Sequence, residues 1–303
     1  MKGIYIIAND KVLDNCITLL NSIRLYDKDV PITLIPYDDN YHQVFNILSK
    51  KYKVTLYPDL DFIDKLSNNL HSIFGENFFA RPNQFRKQAC WFGEYDEFLY
   101  IDTDIIVFDK IIQCLDYLQD YDFIACDYQG KKGIQNVFSQ QVIDNNIFTS
   151  EQLKDIFNCG FWGSKKKIIS EETLYKIFKE CSQNLQYFDF TQKTSDQPII
   201  NYLILTQVKK RLNLTQITDD EPGNWAGSKH FIEKDHKLYD NGKPLRYLHW
   251  AGVPLHPGGN YYELWQHYRY LGEEKPLPMA TNTIHKKNYW QTLKNKARKL
   301  FSK

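Results

Sequence analysis

Apolar residues fall along this chain in two alternating rhythms. A continuous apolar run over residues 3–8 ends at Asn9 and Asp10, the pattern of a strand buried on both faces. Leu13, Cys16, Ile17, Leu20 and Ile23 then recur at the spacing of one helix face. A second strand is predicted over 32–35 after Pro31, a helix around 44–48, and a third strand over 54–57, closed by Pro58. Residues 82–95 read as a helix that feeds an apolar strand at 98–101, followed by Asp102-Thr103-Asp104 and another apolar run over 105–108. Asp109 stands as the cap of a helix carrying Ile111, Ile112 and Leu115, and 123–126 is one more strand. Strands alternating with helices predict an α/β fold, a mainly parallel sheet flanked by helices.

Past residue 130 the alternation fades. Residues 131–150 are polar and predict a loop over a site. Helices are expected over 168–181 and 197–207, an irregular stretch over 223–242, and a late strand over 246–250. There is no internal repeat and no Gly/Ser linker, so residues 1–275 are expected to form one compact domain and 276–303 a tail.

The 303 residues are ample for a hydrophobic core. The 38 Lys and Arg against 37 Asp and Glu give no overall charge to draw nucleic acid, so no nucleic-acid partner is expected. Six cysteines form no C-x-x-C pair and sit in apolar runs, which argues against a zinc or redox motif. The opening apolar segment is short for a signal peptide, and no stretch approaches the roughly 20 apolar residues of a membrane span. A cytoplasmic protein is therefore expected, docked peripherally at the inner face of a membrane. The tail supplies the docking element. Lys286, Lys287, Lys294, Lys296, Arg298, Lys299 and Lys303 alternate with Trp290, Leu293, Ala297, Leu300 and Phe301 at helical spacing, the pattern of a basic amphipathic helix that lies on anionic lipid. Equal sedimentation with anionic liposomes of the whole chain and a chain ended at Pro278 would refute this role.

The acidic triplet carries the chemistry. It directly follows a buried strand, where open α/β sheets place their ligands. Residues two apart in an extended chain point the same way, so Asp102 and Asp104 can face one cation. Hard divalent cations are held by one or two carboxylates together with substrate phosphates.

Several blocks surround the triplet in a fixed order: Tyr5-Ile6-Ile7-Ala8-Asn9-Asp10, Phe85-Arg86, Ala125-Cys126-Asp127, Phe157-Asn158-Cys159-Gly160, Ser195-Asp196-Gln197-Pro198, His249-Trp250-Ala251-Gly252 and Tyr262-Glu263-Leu264-Trp265. In these blocks the sequence resembles glycosyltransferase family 8 and its relatives with the Rossmann-like GT-A fold, which include bacterial lipopolysaccharide galactosyl- and glucosyltransferases and the glycogenins. The resemblance spans about residues 3–270. It implies transfer of a hexose from a nucleotide-diphosphate sugar, a UDP-sugar above all, to a glycan or lipid-linked acceptor, with retention at the anomeric carbon. It places the donor on Ala8, Asn9, Asp10, Arg86, Asp102, Thr103, Asp104 and Gly252. It places the sugar and the reacting centre among Asp127, Asn158, Asp196 and Gln197, and it makes His249 the third metal ligand beside Asp102 and Asp104. An imidazole beside two carboxylates suits Mn²⁺ somewhat better than Mg²⁺.

Two positions depart from the family pattern. Leu255 stands where the family carries a lysine that steadies the diphosphate, with Lys243, His256 or the 131–150 loop as candidate substitutes. Asn9-Asp10 stands where an acidic pair is usual. A double displacement with Asp127 or Asp196 as nucleophile is the mechanistic alternative. Two other functions compete. One is a nucleotide-sugar or carbohydrate binder without turnover. The other is a haloacid-dehalogenase-like phosphatase, whose Asp-x-Asp also follows a strand.

Overall fold

A computed structural model describes residues 1–127, 133–194, 196–218 and 220–275. The expected amphipathic tail, residues 276–303, lies outside the described residues, as does Ser195. The chain separates into a unit Met1–Leu271 and a short remainder from Gly272. No helix among the described residues is long and apolar enough to cross a membrane.

The N-terminal half follows the predicted rhythm. Strand β1 (Lys2–Ala8) leads to α1 (Leu13–Tyr26), β2 (Ile32–Pro36), α2 (His42–Tyr52), β3 (Thr55–Leu56) and α3 (Leu60–Phe74). Helix α3 is an addition to the sequence reading. Asp59 caps it by accepting from the Phe62 amide at 2.8 Å, and Ile63, Leu66 and Leu70 form its buried stripe. Residues 82–95, expected as an α-helix, form a 3-10 segment over Pro82–Phe92 instead. The strands β4 (Glu97–Ile101), β5 (Ile105–Val107) and β6 (Phe123–Ala125) follow. Asp109 does not cap the intervening helix. Its carboxylate accepts only from the next amide, that of Lys110, and the segment Ile111–Gln119 is again 3-10.

The C-terminal half holds the short helices α4 (Gln141–Asp144) and α5 (Ser150–Leu153), where sequence predicted a loop. Then come β7 (Phe161–Lys165), α6 (Glu171–Gln183), α7 (Asp196–Gln207) and β8 (Arg211–Asn213). The stretch expected to be irregular folds in part as a three-stranded antiparallel sheet: β9 (Ile232–Lys234), β10 (Lys237–Asp240) and β11 (Lys243–Pro244). Its turns, Asp235-His236 and Asn241-Gly242, have positive φ at both residues, as a two-residue hairpin turn of the right twist requires. The chain continues through β12 (Tyr247–His249) to α8 (Tyr262–Arg269).

The main sheet has the order β3-β2-β1-β4-β7-β6-β8. Its pairs are parallel except those made by β7, which runs antiparallel between β4 and β6. Alternate side chains feed opposite cores. Tyr5, Phe98, Tyr100 and Trp162 pack on one face with the 3-10 segment, α3, α6 and α7, while Ile4, Ile6, Leu99, Ile101 and Phe161 pack on the other with α1 and α2. A third cluster joins Ile106, Leu238, Leu248, Trp250 and Leu264 beneath α8.

Candidate active site and metal centre

Asp102 and Asp104 flank the break between β4 and β5, and register alone brings the histidine to them. Strand β12 pairs antiparallel with β5 so that His249 stands opposite Ile105, the residue after Asp104. His249 Nε2 consequently lies 3.2 Å from Asp104 Oδ1 and 4.0 Å from Asp102 Oδ2. Backbone bonds hold the strand there: the His249 amide donates to the Asn224 carbonyl at 2.7 Å, and the Trp250 amide donates to the Asp104 carbonyl at 3.1 Å. Asp102 is held separately, with its amide donating to the Gly160 carbonyl at 2.7 Å and the Tyr100 hydroxyl donating to its Oδ1 at 2.5 Å.

These three side chains could hold a metal ion. One ligand atom from each lies within 4.8 Å of the others. Donors sharing one cation at about 2.1–2.3 Å stand about 3–4.5 Å apart, so little rearrangement separates the two geometries. Gly160 makes the cradle. A Cβ there would meet His249 Cε1 at 2.2 Å and both His249 Nε2 and Asp102 Oδ2 at 2.9 Å. Gly160→Ala should therefore weaken Mn²⁺ binding, measured by calorimetry with UDP present, by about 10–100-fold, the usual cost of disturbing the groups that orient metal ligands. Unchanged affinity would show that the cation sits elsewhere.

The electrostatics suit a cation. Burial pushes the Asp102 carboxyl up, and Lys87 pulls against it. Burial acts upward on Asp104 too, but the His249 imidazole outweighs it and holds that carboxyl below its ordinary range. His249 is driven toward neutrality by burial, yet the carboxylates, Asp104 foremost, hold it above its ordinary value.

Lys87 was not among the sequence candidates. Its side chain is only 8% exposed, and its Nζ lies 2.5 Å from Asp196 and 3.8 Å from Asp102. The ammonium also sits over the Tyr100 ring, 4.6 Å from its centroid. Burial opposes its charge, but Asp102 and Asp196 together hold it well above the ordinary lysine value, so it stays protonated. Asp196 was read as a helix cap or a sugar ligand. It occupies the first turn of α7 and pairs with Lys87.

Around the triad opens a cleft of about 760 Å³, within the usual range of small-molecule sites. Asp102, Asp104, His249, Asp127, Asn158, Asp196, Gln197 and Gly252 all line it. Asn158 Nδ2 donates to Gln197 Oε1 at 2.9 Å, and Gln197 Nε2 donates to the Asn136 carbonyl at 3.2 Å, which fixes the glutamine amide. Asn201 clamps the strand entry, accepting from the Phe157 amide and donating to its carbonyl. Asn213 and Thr215 bond the Asp127 backbone. The cleft also includes Thr194 and Trp225, which no sequence pattern marked. Cys159 lines it too, but burial pushes its thiol well up, away from nucleophile chemistry.

Ala8, Asn9, Asp10, Arg86 and Thr103 are not part of that lining. Asn9 Nδ2 donates to Asp38 at 2.7 Å, and Asp10 accepts from the Val44 amide at 2.8 Å, capping α2. Arg86 donates to the Pro36 carbonyl at 3.0 Å and pairs with Asp64 of α3. Leu255 packs against the third cluster, beneath α8.

No family model matches this sequence, and no curated protein does. Solved structures do resemble it. The galactosyltransferase LgtC in complex with donor and acceptor sugar analogues superposes with a TM-score of 0.60 at 14% identity, over 92% of this chain and 98% of that one. The apo bifunctional glycosyltransferase WbbM gives 0.59 at 16% identity, over 88% of this chain but only 49% of its own length. Mouse xyloside xylosyltransferase 1, apo form, gives 0.50 at 11% identity, over 71% of this chain and 85% of that one. The chain thus has the GT-A fold of these solved glycosyltransferases, a mixed and mainly parallel sheet flanked by helices.

Proposed function

We propose that this protein is a glycosyltransferase that moves a hexose from a nucleotide-diphosphate sugar, a UDP-sugar, to a glycan or lipid-linked acceptor, with retention. The carrying observation is the Asp102, Asp104 and His249 triad, gathered where β4, β5 and β12 meet and lining the cleft. A Mn²⁺ or Mg²⁺ ion held by the triad would take up the negative charge that develops on the departing nucleotide diphosphate.

The chain's own residues do the rest. Lys87 pairs with Asp196, and that carboxylate can accept from a donor-sugar hydroxyl. Asp127 and Asn158 complete the sugar pocket. Gln197, its amide fixed by Asn158 and Asn136, lies at the same wall of the cleft and can direct its dipole at the reacting face. Ala8, Asn9 and Asp10 at the end of β1 are assigned to the nucleoside, with Arg86 nearby as part of its wall.

A panel of nucleotide sugars assayed for Mn²⁺-dependent donor hydrolysis tests this reading. Neither hydrolysis nor binding of any donor would end it, and binding without turnover would select the inactive carbohydrate-binding alternative. Within the active protein, Gln197→Ala should lower turnover about a hundredfold, as loss of a preorganised dipole does, and weaken UDP binding far less. Equal losses in both would remove Gln197 from the reacting centre.

A further inference from the structure

Most of the residues that line the cleft are polar or charged, and one is a large aromatic. Trp225 lines it beside His249, Ala251 and Gly252 and is the only tryptophan, tyrosine or phenylalanine among the described lining residues. Its side chain is 39% exposed, whereas most large apolar residues of this chain are buried. A single exposed aromatic is ordinary on a protein surface; what sets this one apart is its place in the cleft wall next to His249.

The indole is also held still. Its Nε1 donates to the Ala251 carbonyl at 2.9 Å, and its backbone bridges to His249, with the Ala226 amide donating to the His249 carbonyl at 2.9 Å. Gly227 lies against the benzo ring, where an added Cβ would meet two ring carbons at 2.3 Å. Only glycine leaves the ring that position. A rigid aromatic plate loses little conformational freedom when a ligand settles on it.

Its place in the sheet says which ligand. The end of β1 is assigned to the nucleoside. The triad follows at β4, and Trp225 lies beyond it on the β6 side, since neighbouring Asn224 donates to the Cys126 carbonyl at 2.7 Å. With the nucleoside assigned to the end of β1, the indole beside His249 is left for the second substrate. A pyranose ring has an apolar C–H face and a polar hydroxyl rim, which matches an apolar plate in a polar wall. An acyl chain would need a continuous apolar channel, and here carboxylates and amides interrupt the lining.

We propose that Trp225 is the platform for the acceptor, and that the acceptor presents a pyranose ring stacked by its C–H face on the indole. This rests on the glycosyltransferase reading for the word acceptor. The contact itself does not depend on it.

The test is saturation-transfer NMR on the full chain with UDP and Mg²⁺, using methyl β-D-galactopyranoside and methyl β-D-glucopyranoside as probes. The ring C–H protons of at least one should receive saturation from the wild type and from Trp225→Phe. Trp225→Ala should weaken that pyranoside by about tenfold more than it changes UDP affinity, a loss equivalent to about 1.4 kcal/mol. Gly227→Ala, which displaces the ring without removing it, should also weaken the pyranoside. No pyranoside contact by the wild type, or equal contact in Trp225→Ala, overturns the proposal. So does parallel loss of UDP and pyranoside, which would put the indole under the nucleotide. Failure of the wild type to bind UDP or GDP is a separate outcome that sinks the glycosyltransferase reading, while pyranoside contact through Trp225 would still stand.

Discussion

Replacing Asp104 by alanine is expected to abolish transfer and the cation-dependent part of nucleotide binding while the fold survives. The carboxylate lies 3.2 Å from His249 Nε2, and its removal leaves that imidazole with only Asp102 at 4.0 Å. Two ligands without the third hold a divalent cation weakly, and losing several kcal/mol of charge stabilisation slows the reaction about a thousandfold. Stability should move little, because the backbone bond from Trp250 to the Asp104 carbonyl does not use the side chain. Removing the carboxylate relieves its repulsion from Asp102 but forfeits its pairing with His249, so the metal-free variant should melt close to the metal-free wild type. Mn²⁺ with UDP should raise the wild-type melting temperature, since a ligand bound only by the native state stabilises it, and should leave the variant unmoved. A variant that still turns over, or still gains stability from Mn²⁺ and UDP, would show that the triad is not the metal centre.

Lys87→Met, behind the cleft wall, is expected to cost about 3–5 kcal/mol of stability, the cost of breaking a buried ion pair from one side. Methionine fills a similar volume but leaves Asp196 and Asp102 facing each other without the ammonium between them. Adding Asp196→Asn should recover much of the loss, because the stranded charge is then gone. Chemical denaturation of the two single variants and the double variant measures the coupling directly. Coupling below about 0.5 kcal/mol would mean that Lys87 and Asp196 do not act as a pair. Lys87→Arg is not a neutral control, since the guanidinium is larger and planar and the site is closed around an ammonium.

The Asp102–Asp104 pair, which with His249 could hold a metal ion, was readable because its signal is local. An apolar run that breaks at Asp-x-Asp announces a strand end, and the late His block follows from family resemblance. Lys87 was not readable, because Arg86 and Lys87 are adjacent basic residues in one segment. Which of them turns inward depends on whether the segment advances at 3.6 or 3.0 residues per turn. The family resemblance pointed to Arg86 and passed over Lys87. The 3-10 segment sends Arg86 to Asp64 and Lys87 to Asp196. A signal was present, since Lys87 sits between Phe85 and Ala89-Cys90-Trp91, and a charge within an apolar stretch demands a partner. The hairpin over β9–β11 was equally announced by Asn241-Gly242, a strong turn signal, but its strands are short and largely exposed and lack clear alternation. Trp225 could not be found from sequence, because exposure of a single tryptophan is set by tertiary packing.

The antiparallel placement of β7 has a consequence for how this protein is made. Strands β1, β2 and β3 pair with near neighbours and can assemble as soon as they leave the ribosome. Strand β6 has no sheet partner until β7 is synthesised, because β7 is its only link to β4. A chain ended before Phe161 would thus expose the bonding edges of both β4 and β6, a template for aggregation. It would also lack His249. The N-terminal half therefore cannot be cut out as an independent module: the strand that closes the sheet is the one whose entry sets Gly160 against Asp102 and His249.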